Sequence, residues 1–353
     1  MAKNATQTIK TYITSLVGGL DDRSREVVRA RYGLGSEAPV TLQVIGDRYR
    51  ITRERVRQIE ALSIVQLKAR LNDPYVDRLT GAAVSQLERV GGVQRDSDFI
   101  KALHASLNEP TPLANFEQPA RFLLKLSGAA SLFRDAYSSW HPFWYRSTND
   151  RKRAQQFVTR FTGELKKQRG AVIASRALFS DVLARVVRAA RVTEASAQSY
   201  LAASRLFTTG PFGEQGLTEW AEVNPKTARD WAYLVLKREA GPLHFSELAS
   251  RIAKRREGKR TNVQTVHNEL IKDERFVLVG RGMYGLREAG LIPGTAREVI
   301  GYMLKTHGPL TAQEVVSRVR EQRMLKEGTI LINLQNRKHF KALDNGRYAL
   351  HEA

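Results

Sequence analysis

Two stretches of this chain repeat one another, "GPLHFSELASRI" from Gly241 and "GPLTAQEVVSRV" from Gly308. A duplicated block narrows the possible folds, because each copy must be a supersecondary unit that one chain can build twice. An amphipathic stretch leads each copy, "ARDWAYLVLKREA" before the first and "AREVIGYMLKTH" before the second. A further helix and then a strand pair follow each, "RFVLVGRGMYGLRE" and "HFKALDNGRYALHE". Phe276 and Tyr284 are spaced as Phe340 and Tyr348 are, and Gly282, Tyr284 and Leu286 match Gly346, Tyr348 and Leu350. Gly280-Arg281-Gly282 and Asn345-Gly346 are hairpin turn signals. Helix, helix, helix, hairpin is a winged helix, and the pattern predicts two in tandem.

Two earlier segments echo this unit. "GAAVSQLERVGGVQRDSDFIKAL" (81–103) has a helix, a glycine turn and the next helix, and "FVTRFTGELKKQRGAVIASRALFSDVL" (157–183) places Gly170 in the turn. Their wing regions, "SLFRDAYSSWHPFWYR" and "RLFTTGPFGEQGLTEW", keep the aromatics without a clean hairpin, and a loose helical bundle is the alternative. The dense aromatics of "SSWHPFWYRS" read as core in preference to a stacking platform for bases.

The N-terminal part has a different rhythm. "DRSREVVRARY" (22–32) reads as a helix capped by Asp21 or Asp22 and ended by Gly33. Thr41 caps a second helix, "LQVIGDRY", and Thr52 caps a third, with Arg55 where a capping box places Glu. In "ITRERVRQIEALSIVQLKARL" (51–71), Ile51, Val56, Ile59, Leu62 and Val65 recur at helical steps, while Arg53, Glu54, Arg57 and Gln58 point elsewhere. A short helix, a tight connection and a longer basic helix form a helix-turn-helix, closed by Asn72-Asp73-Pro74. The predicted fold is mainly α, an N-terminal helix-turn-helix followed by tandem winged-helix domains with small β-hairpin wings. The expected divisions are 1–74, 75–148, 149–223, 224–290 and 291–353.

Charge points to the partner. The 353 residues carry a net charge of +21, spread over clusters such as Arg29–Gly33 and "AKRREGKR" in folded-looking segments. That distribution favours nucleic acid over a polybasic membrane anchor. Cysteine is absent, so there is no disulfide framework and no thiolate zinc site. No apolar run approaches the ~18 residues of a membrane span, and the N-terminus lacks a secretory signal. A cytoplasmic, nucleoid-associated protein is expected.

Residues 20–71 resemble the fourth region of sigma-70-type factors, carried by "LDDRSREVVRARYGL" and "TLQVIGDRYRITRERVRQIEALS". The resemblance implies a reader of the promoter −35 element that touches the β-flap of the RNA polymerase core. It assigns Arg53, Glu54, Arg57 and Gln58 to base edges in the major groove. The chemistry agrees, since arginine forks onto guanine, glutamate accepts from cytosine and glutamine pairs with adenine. Arg23, Arg31 and Arg55 are assigned to phosphates, with the Thr52 hydroxyl and the helix N-terminus assisting. Two departures stand out. "LSIVQL" replaces a usually basic stretch, so Leu62, Ile64 and Val65 are expected to be covered by the next domain. Only twenty residues precede the match, so the promoter-melting sigma domain is expected to be missing.

Residues 224–290 resemble the HARE-HTH winged-helix family, which includes a domain of the delta subunit of bacterial RNA polymerase. The carrying residues are "GPLHFSELASRIAKR" and "NVQTVHNELIKDERFVLVGRGMYGL". The resemblance implies contact with DNA or an adaptor role. Lys254, Arg255, Arg256, Lys259, Arg260 and, at the wing tip, Arg281 are the candidate contacts.

Other chemistry is not supported. "GRGMYG" (280–285) satisfies G-x-G-x-x-G but continues as a strand where a dinucleotide site needs a helix. "GKRT" lacks the spacing of a phosphate loop, and the seven histidines show no paired metal spacing. No cofactor, metal or catalytic residue is expected. The function read from the sequence is non-enzymatic, sequence-specific binding of double-stranded DNA in transcription, with RNA polymerase as second partner. The alternatives are a polymerase-binding adaptor or competitor, or a DNA-binding sensor or specificity subunit for modified DNA in a restriction or defence system.

Overall fold

Ile9, Tyr12, Ile13, Leu16 and Val17 recur at three- and four-residue steps and form the buried face of α1 (Ile9–Gly18), whose N-terminus Thr8 and Thr11 close as a capping box. This helix opens a computed structural model that describes residues 8–35, 38–134, 139–174, 176–239, 241–256 and 261–351. Next come α2 (Asp22–Tyr32), α3 (Leu42–Tyr49) and α4 (Arg53–Lys68), capped by Asp21, Thr41 and Thr52 as the sequence predicts. Asp73 caps α5 (Pro74–Arg89) with Pro74 in its first turn, where a missing N–H costs nothing.

After α5 the order is β1 (Val93–Arg95), α6 (Asp96–Ser106), α7 (Leu113–Ser127), β2 (Ser131–Phe133) and β3 (Phe143–Tyr145). The three strands form an antiparallel sheet in the order β1-β3-β2, with Leu132 opposite Trp144 and Val93 opposite Tyr145. Phe143 and Trp144 are buried, and the Trp144 indole donates to Asp96 at 2.7 Å. The aromatic run is therefore core. One hydrophobic cluster joins α1, Val28 and Leu34 near α2, Leu67 of α4, helices α5 to α7 and Trp144. Packing thus continues across residue 74.

Four helices follow, α8 (Thr148–Lys167), α9 (Arg169–Ala174), α10 (Arg176–Ala190) and α11 (Glu194–Ala203), then a two-stranded sheet of β4 (Phe207–Thr209) and β5 (Gln215–Leu217). Gly170, expected in a turn, lies inside α9, because α8 runs on to Lys167 and Gln168 caps it. The turn before β1 shows why it needs glycine. Gly91 has φ +76, and a Cβ there would lie 2.4 Å from Ser196 Oγ. The close approach lets α11 pair with this turn: Tyr200 donates to the Gly91 carbonyl at 2.7 Å and Ser199 to that of Val93 at 2.6 Å.

The C-terminal part shows the duplication directly. The first copy is α12 (Ala228–Glu239), β6 (Leu243–His244), α13 (Phe245–Arg255), α14 (Val263–Lys272), β7 (Phe276–Gly280) and β8 (Met283–Leu286). The second is α15 (Ala296–His307), β9 (Leu310–Thr311), α16 (Ala312–Gln322), α17 (Glu327–Leu334), β10 (Phe340–Ala342) and β11 (Arg347–Leu350). The last strand is central in both sheets, β6-β8-β7 and β9-β11-β10. Registers coincide as well: Phe276 faces Leu286 as Phe340 faces Leu350, and Leu243 faces Tyr284 as Leu310 faces Tyr348. Gly280 pairs with Met283 across Arg281-Gly282, so the glycines of "GRGMYG" make a hairpin. Each copy has its own core, one around Leu248, Ile252 and Leu270, the other around Val315, Val319 and Ile330. The Met324 N–H donates to the Val279 carbonyl at 2.7 Å, and buried Arg323 donates to the carbonyls of Ile292 and Gly294.

By packing the chain divides into two units, one running to Thr208 and including 215–218, the other made of 209–214 and everything from 219 onward. The molecule is mainly helical, with small antiparallel sheets.

Candidate nucleic-acid interface

The interface begins with the turn between α3 and α4. Val27, Ile45, Val56 and Ile59 form a small core that holds α2, α3 and α4 together. Arg50 adopts a left-handed conformation at φ 54, and the Ile51 N–H returns to the Gly46 carbonyl at 3.0 Å. Gly46 sits in α3 against that turn, where a Cβ would lie 2.6 Å from the Ile51 carbonyl oxygen. Only glycine lets the backbones approach so closely. The Thr52 side chain then accepts from the Arg55 N–H at 3.1 Å, starting α4 in a fixed direction.

Val56, Ile59, Ser63 and Leu67 are the buried positions of α4, so Arg53, Glu54, Arg55, Arg57 and Gln58 are left exposed. Four of these five form one network. Arg57 grips Glu54 with two hydrogen bonds, at 2.9 and 2.7 Å, and Arg55 donates to the Gln58 amide oxygen at 3.1 Å. Hydrogen bonding from Arg57 holds the Glu54 carboxyl below the usual range, with help from Gln58, and the same pair raises Arg57. Glu54 is thus kept an acceptor and Arg57 a donor, and both remain about 60% exposed (58% and 60%). A forked donor, a carboxylate acceptor and an amide on one helix surface can address the edges of successive base pairs.

A family profile for sigma-70, region 4, matches residues 16–69. Over 65 residues the chain is 37% identical to the RNA polymerase principal sigma factor HrdD of Streptomyces griseus, covering 18% of this chain and 20% of that protein. The RNA polymerase sigma factor RpoD of Helicobacter pylori is 42% identical over 62 residues, 17% of this chain and 9% of RpoD. Residues 16–69 are a sigma-70 region 4 segment. The chain spans a fifth or less of the length of these curated relatives.

Within the region 4 segment the assigned phosphate contacts differ in setting. Arg23 stands exposed on the first turn of α2. Arg31, eight residues on and ~12 Å along that helix, is turned to the protein. It donates to the Val40 carbonyl at 3.0 Å and lies 3.8 Å from Glu60. Thr52 and Arg55 share the start of α4, the Thr52 oxygen already serving as the cap.

The apolar strip that follows Gln58 on α4 is covered in part. Leu67 is fully buried and Ile64 packs on the α1/α5–α7 core, whereas Leu62 and Val65 remain 64% and 68% exposed. The reason is angular. Residues 64 and 67 continue the buried face of α4 toward α7, while 62 and 65 continue the face of Arg55 and Gln58.

The candidates of the first C-terminal copy are more scattered. Lys254 and Arg255 end α13 and Arg256 caps it, with the Arg255 guanidinium over the Phe212 ring at 5.0 Å. Arg281 is exposed at the hairpin turn. Lys259 and Arg260 lie outside the described residues. His244 caps α13, its Nδ1 accepting from the Ser246 N–H at 3.3 Å. Among the described residues no group of three or more metal-capable side chains converges, and no helix is long and apolar enough to cross a membrane.

Sequence reasoning passed over Glu60, which accepts from the Tyr32 hydroxyl and lies 4.0 Å from the Lys125 ammonium. No local pattern signals that role, because its partners come from α2 and α7. Gly46 is different: a glycine inside a helix directly before a tight turn is a visible sign of close backbone approach.

Proposed function

We propose that this protein is a sequence-specific DNA-binding transcription factor whose region 4 segment reads a −35-type promoter element and engages the β-flap of RNA polymerase. The observation that carries the reading is the exposed Arg55–Gln58–Glu54–Arg57 network at the start of α4. Arg53, Glu54, Arg57 and Gln58 contact bases in this reading. Arg23, Arg31, Thr52 and Arg55 contact phosphates, Arg31 after giving up part of its bonding to Val40. The C-terminal copies act as winged helices, the first of HARE-HTH type, with Lys254, Arg255, Arg256 and Arg281 available to extended DNA.

Selection of bound sites from a random DNA pool, with and without core polymerase, tests the reading. A −35-like motif is the expected product. Arg57→Ala should cost ~1–3 kcal/mol and relax preference at one base pair, while Arg23→Ala should weaken all sequences alike. Equal loss across sequences for Arg57→Ala removes the direct-readout assignment.

A second reading makes the C-terminal copies protein adaptors. It is favoured by their third helices, which expose Val263, Ile271 and Ile332. Polymerase binding that persists without DNA and is insensitive to salt would select it.

A further inference from the structure

Away from the reading face of α4, the first unit contains a cleft of about 520 Å³ between the end of α2, α7 and the turn into β2. Phe122 and Trp144 form its buried floor, and Arg31, Arg121, Lys125 and Arg134 line it. Among the described residues cations predominate in this lining. Arg121 is held by Asp96 at 2.9 Å and by Glu117 at 3.0 Å. Among the described residues the carboxylate facing Arg31 and Lys125 is Glu60, at 3.8 and 4.0 Å, and Arg134 adds a third cation to the lining. Desolvation lowers the Lys125 pKa, Glu60 opposes that shift, and the neighbouring charges of Arg31, Lys68 and Arg134 add to it. The Arg31 Nε is buried and makes no hydrogen bond among the described residues. A buried donor with no hydrogen bond and its carboxylate as far as 3.8 Å away, beside two further cations, calls for an anion.

The size narrows the ligand. Small-molecule sites occupy roughly 300–1,000 Å³ and combine apolar walls with a few convergent polar groups. An inorganic ion alone leaves most of this cleft empty, and the walls, Phe122, Leu132 and Trp144, suit an apolar or planar body. We propose that this cleft binds a phosphorylated small molecule of nucleotide size. The phosphates meet Lys125, Arg134 and the Arg31 Nε, and the body of the ligand lies over the apolar floor. A backbone phosphate of bound DNA offers the same charge without that body.

Calorimetric titration of ATP, GTP and inorganic pyrophosphate into the full chain, with no DNA present, tests this without depending on the promoter reading. The expected result is saturable one-to-one binding of a nucleotide, tighter than pyrophosphate. The double variant Lys125→Gln, Arg134→Gln should weaken it at least roughly ten-fold, the effect of losing one charge-assisted bond or more, with the circular dichroism spectrum unchanged. Absence of saturable nucleotide binding, or binding that the double variant leaves intact, overturns the proposal. DNA binding of the same variant distinguishes the other source of phosphate. A salt slope reduced by about two, with no nucleotide binding, assigns the cleft to the DNA backbone and overturns the small-molecule site.

Discussion

Three helices in this protein close a three-helix group, α4 in the region 4 segment and α14 and α17 in the C-terminal copies, and their exposed surfaces differ. The first turns of α4 present Arg53, Arg55 and Arg57 beside Glu54 and Gln58. The sequence of α14, "VQTVHNELIK", holds no arginine and has its lysine only at the last position, Lys272, while α17, "EGTILINL", has no basic residue. Instead these two expose Val263, Ile271 and Ile332, the last at 72%. A similar arrangement of helices therefore does not decide the partner. Affinity for DNA comes mainly from cations near phosphates, and readout from polar side chains at base edges. On α4 both lie on one surface. In the first C-terminal copy the cations lie off the third helix, at the end of α13 and at the hairpin turn.

The largest expected effect tests how the two kinds of helix are supported. Leu67 is fully buried where α4 joins the core of α1 and α5–α7, so Leu67→Ala should cost ~2–5 kcal/mol in urea unfolding. The loss should appear in the transition of the whole first unit. A separate early transition of the region 4 segment would show that α4 is as self-contained as α14 and α17, each of which packs in the core of its own copy. An intermediate effect bears on charge. Replacing Lys254, Arg255 and Arg256 together by Gln should lower the salt slope of DNA binding by roughly two, at about 0.9 per phosphate with Arg255 engaged on Phe212. An unchanged slope leaves α4 as the DNA reader and assigns the C-terminal copies to protein. The smallest effect sharpens the surface itself. Leu62 packs on little, so Leu62→Ala should change unfolding by less than ~0.5 kcal/mol. A loss comparable to that of Leu67→Ala would mean that the strip beside Gln58 is covered in solution.

Local chemistry made much of the fold readable in advance. Helices α2, α3 and α4 begin where Asp21, Thr41 and Thr52 accept from the N–H three residues on, and α2 ends at a left-handed Gly33. Such signals act over one turn of helix and are written in consecutive residues. The two C-terminal hairpins were readable for the same reason, since their turn residues are local: Arg281-Gly282 joins β7 to β8, and Asn345-Gly346 lies in the turn between Leu343 and Arg347. The pairing of β2 with β3 was hidden, because residues 134–142 separate the strands and leave no turn pattern to read. The Thr8–Thr11 cap and the helical spacing from Ile9 to Val17 announce α1, although nothing in them tells that it packs on α7.

The sequence by itself determined which residues of α4 share its exposed surface, because their spacing on a helix follows from 3.6 residues per turn. Tertiary structure decided what surrounds them. It turned Arg31 toward Val40 and Glu60, buried Leu67 while leaving Leu62 exposed, and brought Lys125 to the Tyr32 hydroxyl at 2.6 Å across 93 positions of chain. Periodicity specifies a face, but which neighbour meets that face depends on where distant helices pack.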